Sequence, residues 1–294
     1  MQQIKYPKIS IITPSYNQVE FLGKAIDSVL NQNYPNLEYI IIDGGSTDGS
    51  KELIESYSER LSYWESAKDE GQYYAINKGL EKSTGEIMAW LNSDDMYFNG
   101  ALNTVAEIFS SFNDVNWVMG VPTVFDENDR AIVADRNRRR RCSRFHYFAS
   151  EDYEWIQQES TFWRRSLWQQ AGSFINTDYK LAADFELWMR FYQHSKIDIL
   201  DSLIGGFRMR KSNQKTLESN DDYLNEAKKI IEIELNKLTR NESSEVELIK
   251  KLKTRSGIKL INKLNKSELK YNERVFQCTN WRIKFDRLSQ RFYI

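Results

Sequence analysis

The chain has 294 residues, and its 41 Lys and Arg against 42 Asp and Glu leave a formal net charge of −1. A balance this even gives the whole molecule no attraction for nucleic acid or for anionic membranes. Its 2 cysteines are too few for a disulfide framework, and they suit a reducing compartment. We find no apolar signal region at the start and no run near the roughly 18 apolar residues of a membrane span. We therefore expect a cytoplasmic protein of one large domain, or one domain plus an appendage.

Predicted strands and helices alternate over the first 120 residues, with short connections between them. Short runs of Ile, Leu, Val and aromatic residues mark the strands, and apolar positions at helical spacing mark the helices. This alternation predicts parallel βαβ units with right-handed crossovers, as in a nucleotide-binding half-sheet. The predicted strands are 9–13, 37–43, 61–65, 87–91 and 116–120, and the predicted helices are 19–31, 50–59, 72–82 and 100–112.

Two of these buried strands end in acidic residues. The second strand ends in Asp43, and the fourth runs into Asn92-Ser93-Asp94-Asp95. Ligands of open α/β sheets bind outside the carboxyl ends of the strands, and carboxylates are rarely buried without a partner. The pattern favours a Mg²⁺ or Mn²⁺ site shared with substrate phosphates. The alternative is that the four residues only form a turn or a helix cap.

The pattern changes after residue 120. We predict a hairpin over 121–133, a basic loop over 136–144 and a helix with a broad apolar face over 181–193. Shorter elements are predicted at 158–163 (strand), 164–171 (helix), 197–200 (strand) and 204–209 (strand). The chain therefore divides into a first part over 1–215, whose pattern changes near residue 120, and a basic helical extension over 216–294.

Six short motifs occur in a fixed order. They are Thr13-Pro-Ser-Tyr-Asn17, Ile42-Asp-Gly-Gly-Ser-Thr-Asp-Gly49, Gly71-Gln-Tyr-Tyr-Ala-Ile-Asn-Lys-Gly79, Thr84-Gly-Glu86, Leu91-Asn-Ser-Asp-Asp95 and Asp184-Phe-Glu-Leu-Trp-Met-Arg190. Each motif alone is weakly specific, but the ordered set is highly specific. Over about residues 8 to 215 the chain resembles the family 2 glycosyltransferases of the GT-A fold, especially those that make bacterial surface polysaccharides.

The resemblance implies an α/β fold of the GT-A type, a Rossmann-like half-sheet joined to an acceptor-binding part. The catalytic domain would then cover 1–215, with nucleotide-sugar binding over about 1–120 and the acceptor side over 121–215. It implies inverting transfer of a sugar from a nucleotide diphosphosugar, expected to be a UDP-sugar, to a hydroxyl of a saccharide or lipid-linked acceptor. The implied cofactor is Mn²⁺ or Mg²⁺, with Asp94 and its neighbour Asp95 as the implied metal-binding residues. The implied general base is Asp184, which could instead, or at the same time, serve as a helix cap, and Glu186 is the second candidate for the base. Tyr73, Trp90 and Trp163 could line a sugar site, although aromatic residues are more often core.

Further donor contacts are implied by the same resemblance. Asp43 would accept a hydrogen bond from the base of the nucleotide, or it only caps the turn that follows it. Lys68 and Gln72 could reach the nucleotide, or they are solvated loop residues. Arg210 stands where relatives often carry His, and its guanidinium fork suits a pyrophosphate but cannot ligate a metal. The remaining implied contacts are Thr13, Pro14, Ser15, Tyr16, Asn92 and Ser93 at the nucleotide, and Glu186 and Arg208 at phosphate or acceptor.

Several other readings compete with this one. A dehydrogenase would carry a Gly-x-Gly-x-x-Gly turn after its first strand, which this chain lacks. A nucleotidyltransferase shares the acidic strand end, and a catalytically impaired relative would only bind a nucleotide sugar. The four arginines of 138–141 could mark a nucleic-acid binder, but we predict no nucleic-acid partner because the patch is single and short. A basic amphipathic pattern over 245–266 predicts either packing on the catalytic domain or peripheral contact with the inner face of the plasma membrane.

Overall fold

The computed structural model describes residues 6–134, 144, 147–148, 153, 156–210, 220–252, 282–286, 288–289 and 291–293. The strands of this part are β1 (Ile9–Ser15), β2 (Leu37–Asp43), β3 (Tyr63–Ser66), β4 (Ile87–Trp90), β5 (Met96–Tyr97), β6 (Trp117–Met119), β7 (Thr123–Phe125), β8 (Ala131–Ala134), β9 (Thr161–Arg164), β10 (Asp198–Leu200), β11 (Gly205–Arg208), β12 (Arg282–Asp286) and β13 (Arg291–Tyr293). The helices are α1 (Val19–Leu30), α2 (Ser50–Ser56), α3 (Gln72–Lys82), α4 (Ala101–Ser111), α5 (Arg165–Gln170), α6 (Ala183–Phe191), α7 (Asn220–Asn236) and α8 (Arg240–Leu252), with 3₁₀ turns at Ser58–Arg60 and Gln158–Ser160.

A nine-stranded sheet forms the centre of the molecule, in the order β13-β12-β10-β6-β9-β4-β1-β2-β3. Strands β4, β1, β2 and β3 pair in parallel, as the alternation of strands and helices predicts. Strand β9 is inserted antiparallel between β4 and β6. Strands β1 and β4 are buried at every position, because helices cover both faces of a parallel sheet. The carboxyl ends of β1, β2 and β4 therefore share one edge.

A second sheet of four strands, in the order β5-β11-β7-β8, lies over this edge. The predicted hairpin over 121–133 is present as the antiparallel pair β7 and β8. Gly205 on β11 allows the second sheet to approach the 3₁₀ turn closely, because a Cβ there would collide with the Glu159 carbonyl oxygen. This close approach brings residues 207–210 next to the end of β4.

Four buried tryptophans from four elements pack together in the core. Trp90 of β4 stacks on Trp188 of α6 with ring centroids 5.8 Å apart, and Trp163 of β9 meets Trp90 edge-on at 5.5 Å. Trp117 of β6 stacks on the other side of Trp188 at 5.6 Å. Aromatic pairs of this kind contribute about 0.5–1.5 kcal/mol each beyond their buried area. The cluster fixes helix α6 against the sheet. Trp163 is fully buried within it and is therefore a core residue.

The C-terminal part differs from the predicted helical extension. Residues 220–252 form helices α7 and α8, but 282–286 and 291–293 form strands β12 and β13. Strand β12 pairs in parallel with β10 and extends the central sheet. Its side chains Ile283 (buried) and Phe285 alternate with charged residues, which is a strand pattern, and β10 offers it an open edge.

Two predicted features lie mostly or wholly outside the described residues. The arginine run 138–141 is outside them, and the amphipathic pattern of 245–266 is described only as far as residue 252. Within the described part of the chain, no helix is both long and apolar enough to cross a bilayer. Peripheral membrane contact therefore stays a prediction.

Candidate active site

A cleft at the carboxyl edge of the central sheet contains two adjoining cavities, of about 490 and 530 Å³. The smaller one lies at the ends of β1, β2 and β4, and we call it the donor cavity after the nucleotide-binding residues that the sequence predicts there. The larger one lies beside helix α6, and we call it the acceptor cavity after the predicted general base Asp184. Four residues line both: Gly71, Gln72, Asn92 and Phe207. The two cavities therefore meet at these residues.

The donor cavity brings together most of the residues predicted to bind a nucleotide. Strand ends β1 and β4, the loop before α3 and the segment after β11 each supply part of its wall. The predicted residues on this wall are Pro14, Ser15, Tyr16, Lys68, Gln72, Asn92, Ser93, Asp94 and Arg210. Gln18 and Asp69 also line it.

Asp43 and Thr13 lie behind this wall. The Asp43 carboxylate is fully buried, and it accepts hydrogen bonds from the Ser46 amide (2.9 Å) and the Ser46 and Ser66 hydroxyls (2.5 and 2.6 Å). The Thr13 hydroxyl pairs with the Tyr39 hydroxyl at 3.0 Å. In this structure Asp43 therefore caps the turn over 44–46, and the wall beside it is made by Gly44 and Gly45.

Asp94 and Arg210 form an ion pair on the wall of the donor cavity, with Nη2 and Oδ2 2.8 Å apart. Both side chains are mostly buried, with exposed fractions of 16 % and 11 %. Burial raises the pKa of Asp94, and the Arg210 guanidinium opposes that shift. Arg210 also donates to the Gln18 side chain at 3.1 Å. An anionic ligand in this cavity would meet a guanidinium already held in place.

Asp95 points away from the donor cavity. Its carboxylate accepts hydrogen bonds from the Arg208 amide (2.8 Å) and the Asn92 side chain (3.1 Å), and it contacts the Glu159 carboxyl group. Burial, and then the carboxylates of Glu159 and Asp94, raise the pKa of Asp95 well above its ordinary value. Burial likewise raises the pKa of Glu159 to about 7. Asp95 thus orients the 92–95 segment from within the protein.

Arg208 is buried and supports the same segment. Its Nε donates to the Asp94 carbonyl oxygen at 2.6 Å, and its Nη1 bonds Asp126 and Asp129 in the hairpin turn between β7 and β8. It lines neither cavity. The structure therefore places Arg208 as a link between the two sheets, whereas Arg210, two residues later, faces the ligand space.

A divalent cation fits this arrangement only with help from a ligand. In the described ranges, no three His, Cys, Asp or Glu side chains gather as a metal-binding group. Mg²⁺ is commonly held by one or two carboxylates together with substrate phosphates. Asp94 supplies one such carboxylate on the cavity wall, next to the Asn92 amide. This donor set suits an ion that enters with a diphosphate.

The acceptor cavity contains the predicted general base. Asp184, in the first turn of α6, lines it together with Trp90, Tyr73 and Tyr74. Burial raises the pKa of Asp184 to about 7, although the hydrogen bond from the Phe185 amide (2.8 Å) works against the shift. A carboxyl group with such a pKa can accept a proton near neutral pH.

Glu186, the second candidate for this role, is engaged elsewhere. Its carboxylate forms a bidentate ion pair with Arg190, at 2.9 Å to Nε and 2.8 Å to Nη2, and it does not line the acceptor cavity. Sequence reasoning missed most of the other residues on that wall. They are Glu70, Gln158, Thr177, Tyr179, Lys180, Leu181 and Tyr223. They come from separate segments with no shared spacing, so only the fold brings them together.

Comparison with known proteins bears on the fold and the family. The model of the glycosyl transferase family 2 matches residues 10–170. The chain belongs to this family. An uncharacterized glycosyltransferase of Nostoc sp., alr2836, is 36 % identical over 130 residues, which are 42 % of this chain and 39 % of that protein. TuaG of Bacillus subtilis, whose name refers to teichuronic acid biosynthesis, is 38 % identical over 94 residues, 31 % of this chain and 37 % of TuaG.

Solved structures of S. aureus TarS have the same fold as this chain. TarS 1–349 in complex with UDP-GlcNAc superposes with a TM-score of 0.64 at 18 % identity, covering 83 % of this chain and 70 % of that one. The complex of TarS 1–349 with UDP gives 0.62, covering 89 % and 77 %. The predicted GT-A type of α/β fold is thus confirmed. The matched part spans about two fifths of the Nostoc relative.

Proposed function

We propose that the protein is an inverting glycosyltransferase. It would transfer a sugar from a UDP-sugar to a hydroxyl group of a saccharide or lipid-linked acceptor in the synthesis of a surface polysaccharide or glycolipid. The observation that carries this proposal is the pair of adjoining cavities, which meet at Gln72 and Asn92. One has a cationic side chain on its wall, and the other a carboxyl group with a raised pKa. TarS bound to UDP-GlcNAc and the name of TuaG support the donor and the pathway class.

In the donor cavity the nucleoside would lie over Pro14, Ser15 and Tyr16, with the diphosphate towards Asp94 and Arg210. Negative charge accumulates on the diphosphate as the bond from its oxygen to the anomeric carbon breaks. Arg210 and Lys68, which both line the donor cavity, would offset that charge. A Mn²⁺ or Mg²⁺ ion held by Asp94 and the phosphates would add Lewis-acid stabilisation of the same leaving group.

In the acceptor cavity Asp184 would take the proton from the attacking hydroxyl group. The acceptor oxygen forms the new bond to the anomeric carbon on the face opposite the diphosphate, and the diphosphate leaves with the electron pair of the broken bond. This geometry inverts the anomeric centre. General base catalysis of this type contributes about 10²–10⁴-fold to the rate. The exposed ring of Tyr74 and the ring of Tyr179 offer apolar faces for a sugar.

A donor screen tests the proposal directly. Thermal shift with UDP-, GDP- and dTDP-sugars should single out a UDP-sugar, and release of UDP from that sugar should require an intact Asp184. Binding of a UDP-sugar without any turnover would identify a catalytically impaired relative. Release of diphosphate from a nucleoside triphosphate would instead identify a nucleotidyltransferase and overturn the proposal.

A further inference from the structure

Helix α7 reaches the acceptor cavity from outside the residues 10–170 that the family model matches. The Glu226 carboxylate on this helix accepts three backbone hydrogen bonds, from the amides of Lys180, Leu181 and Ala182, each at 2.9 Å. These amides immediately precede helix α6, which carries Asp184 in its first turn. A single side chain thus holds the whole segment that leads into the proposed base.

Helix α6 has no side-chain cap at its N-cap position, although Asp184 in its first turn accepts a hydrogen bond from the Phe185 amide. The residue at its N-cap is Ala182, whose side chain makes no capping hydrogen bond. The first amides of a helix lack partners within the helix, and a carboxylate at this end is also favoured by the helix dipole. Glu226 binds the amide of the N-cap residue Ala182 from a position 44 residues away along the chain, together with the two amides before it.

The same segment is held from the other side by helix α3. The Tyr73 hydroxyl donates to the Leu181 carbonyl oxygen at 3.0 Å. Helix α7 itself is anchored independently of Glu226, because Tyr223, Ala227, Ile230 and Ile231 are buried in the core. The position of Glu226 is therefore fixed by apolar packing, and the segment 180–182 is fixed by Glu226 and Tyr73.

We propose that Glu226 is a positioning residue for glycosyl transfer, holding the segment 180–182 and thereby placing Asp184 against the acceptor hydroxyl. The inference rests on the proposed role of Asp184 as the base. It also places α7 within the functional catalytic unit, although the sequence predicts the catalytic domain to end at residue 215. Misplacement of a catalytic group by about 1 Å can cost on the order of 100-fold in rate.

Glu226 has a second, electrostatic effect on Asp184. Burial is the main cause of the raised pKa of Asp184, and the Glu226 carboxylate raises it further by like-charge repulsion. Among the described residues, the other ionisable groups around Asp184 include Tyr73 on α3 and Glu159 on the 3₁₀ turn. The wall of the same cavity adds Glu70, Tyr74, Tyr179, Lys180 and Tyr223. All of these remain when Glu226 becomes neutral. Loss of its charge should therefore lower the pKa of Asp184.

The test compares Glu226→Gln, Glu226→Ala and the control Glu232→Gln in the full chain. Glu232 lies on the exposed face of the same helix. The readouts are kcat for hydrolysis of the UDP-sugar chosen by the donor screen, with water as acceptor, its pH profile, and the Kd for UDP. We expect Glu226→Ala to lower kcat by about 10- to 100-fold, with the Kd for UDP within about twofold of wild type. Glu226→Gln should restore part of kcat and move the acidic limb of its pH profile to lower pH.

Hydrogen exchange of the amides of 180–182 provides the structural readout. Exchange should be faster in Glu226→Ala than in wild type. It should be slower in Glu226→Gln than in Glu226→Ala, and in Glu232→Gln it should match wild type. Wild-type kcat in Glu226→Ala would overturn the inference while leaving the proposed function intact. An equal loss of turnover and of UDP affinity in Glu226→Ala would have the same consequence. Retention of kcat by Asp184→Asn would overturn both, even if amide exchange showed that Glu226 still holds the segment.

Discussion

The donor and acceptor cavities adjoin, but the chain builds them in different ways. The donor wall comes mainly from residues at the ends of strands β1, β2 and β4, so most of its groups lie within a few residues of a buried strand. The acceptor wall is assembled from α3, the 3₁₀ turn, the segment 177–184 and α7. The sheet fixes the first wall through backbone pairing, whereas side-chain contacts such as those of Glu226 fix the second. We therefore expect substitutions at the two walls to affect different kinetic constants.

The largest expected effect is on turnover, through the acceptor wall. Asp184→Asn should lower kcat by about 10²–10⁴-fold, because the attacking hydroxyl loses its proton acceptor. The Kd for UDP, measured by calorimetry, should stay near the wild-type value because Asp184 does not line the donor cavity. The control is Glu186→Gln, on the same helix but paired with Arg190. Loss of turnover in Glu186→Gln, with turnover retained in Asp184→Asn, would show that Glu186 and not Asp184 is the general base.

A second large effect is expected on the donor wall, at Asp94. Asp94→Asn should abolish most transfer, because the leaving diphosphate would lose the carboxylate that retains a metal ion beside it. Chelation of the wild-type protein should lower transfer, and Mn²⁺ or Mg²⁺ should restore it. Binding of Mn²⁺ in the presence of UDP can be followed separately by electron paramagnetic resonance. Full transfer in excess EDTA would contradict a metal role for Asp94.

Arg210 offers a sharper test of the donor wall. Arg210→Gln should weaken UDP binding by about 10- to 100-fold, since hydrogen bonds to charged groups contribute about 1.5–3 kcal/mol. Uridine, which has no phosphate, should bind equally to both proteins. In contrast, Arg208→Gln should lower the melting temperature, because that guanidinium links the two sheets. Equal losses of UDP and uridine affinity in Arg210→Gln would show that Arg210 shapes the cavity and does not bind the diphosphate.

The same contrast explains what the sequence could predict. Apolar runs with acidic or polar ends predict most of β1 to β4 and the cavity residues at their ends. The six ordered motifs identify the family. The sequence could not show that Asp43 turns inward onto Ser46 and Ser66, because an acidic strand end looks the same whichever way its carboxylate points. Nor could it show that β9 runs antiparallel between β4 and β6, since periodicity carries no information on strand pairing. The capping of α6 by Glu226 joins residues with no shared motif.

The smallest expected effect concerns stability at the acceptor wall. In the folded protein burial raises the pKa of Asp184 to about 7, whereas an unfolded Asp has a pKa near 3.9. Between these values the folded state binds more protons than the unfolded state, so this group lowers the free energy of unfolding as pH rises from about 4 to about 7. Asp184→Asn removes that dependence, since an amide does not ionise.

We therefore expect Asp184→Asn to be more stable than wild type at pH 8, by on the order of 1 kcal/mol once water in the open cleft is allowed for. The difference should shrink at pH 5, where Asp184 is protonated in the folded protein. Urea unfolding at both pH values measures it, with Glu186→Gln as the control for loss of an acidic residue on α6. A variant that is less stable than wild type at pH 8 would show that the Asp184 carboxylate contributes more as a hydrogen-bond acceptor for the Phe185 amide than its burial costs.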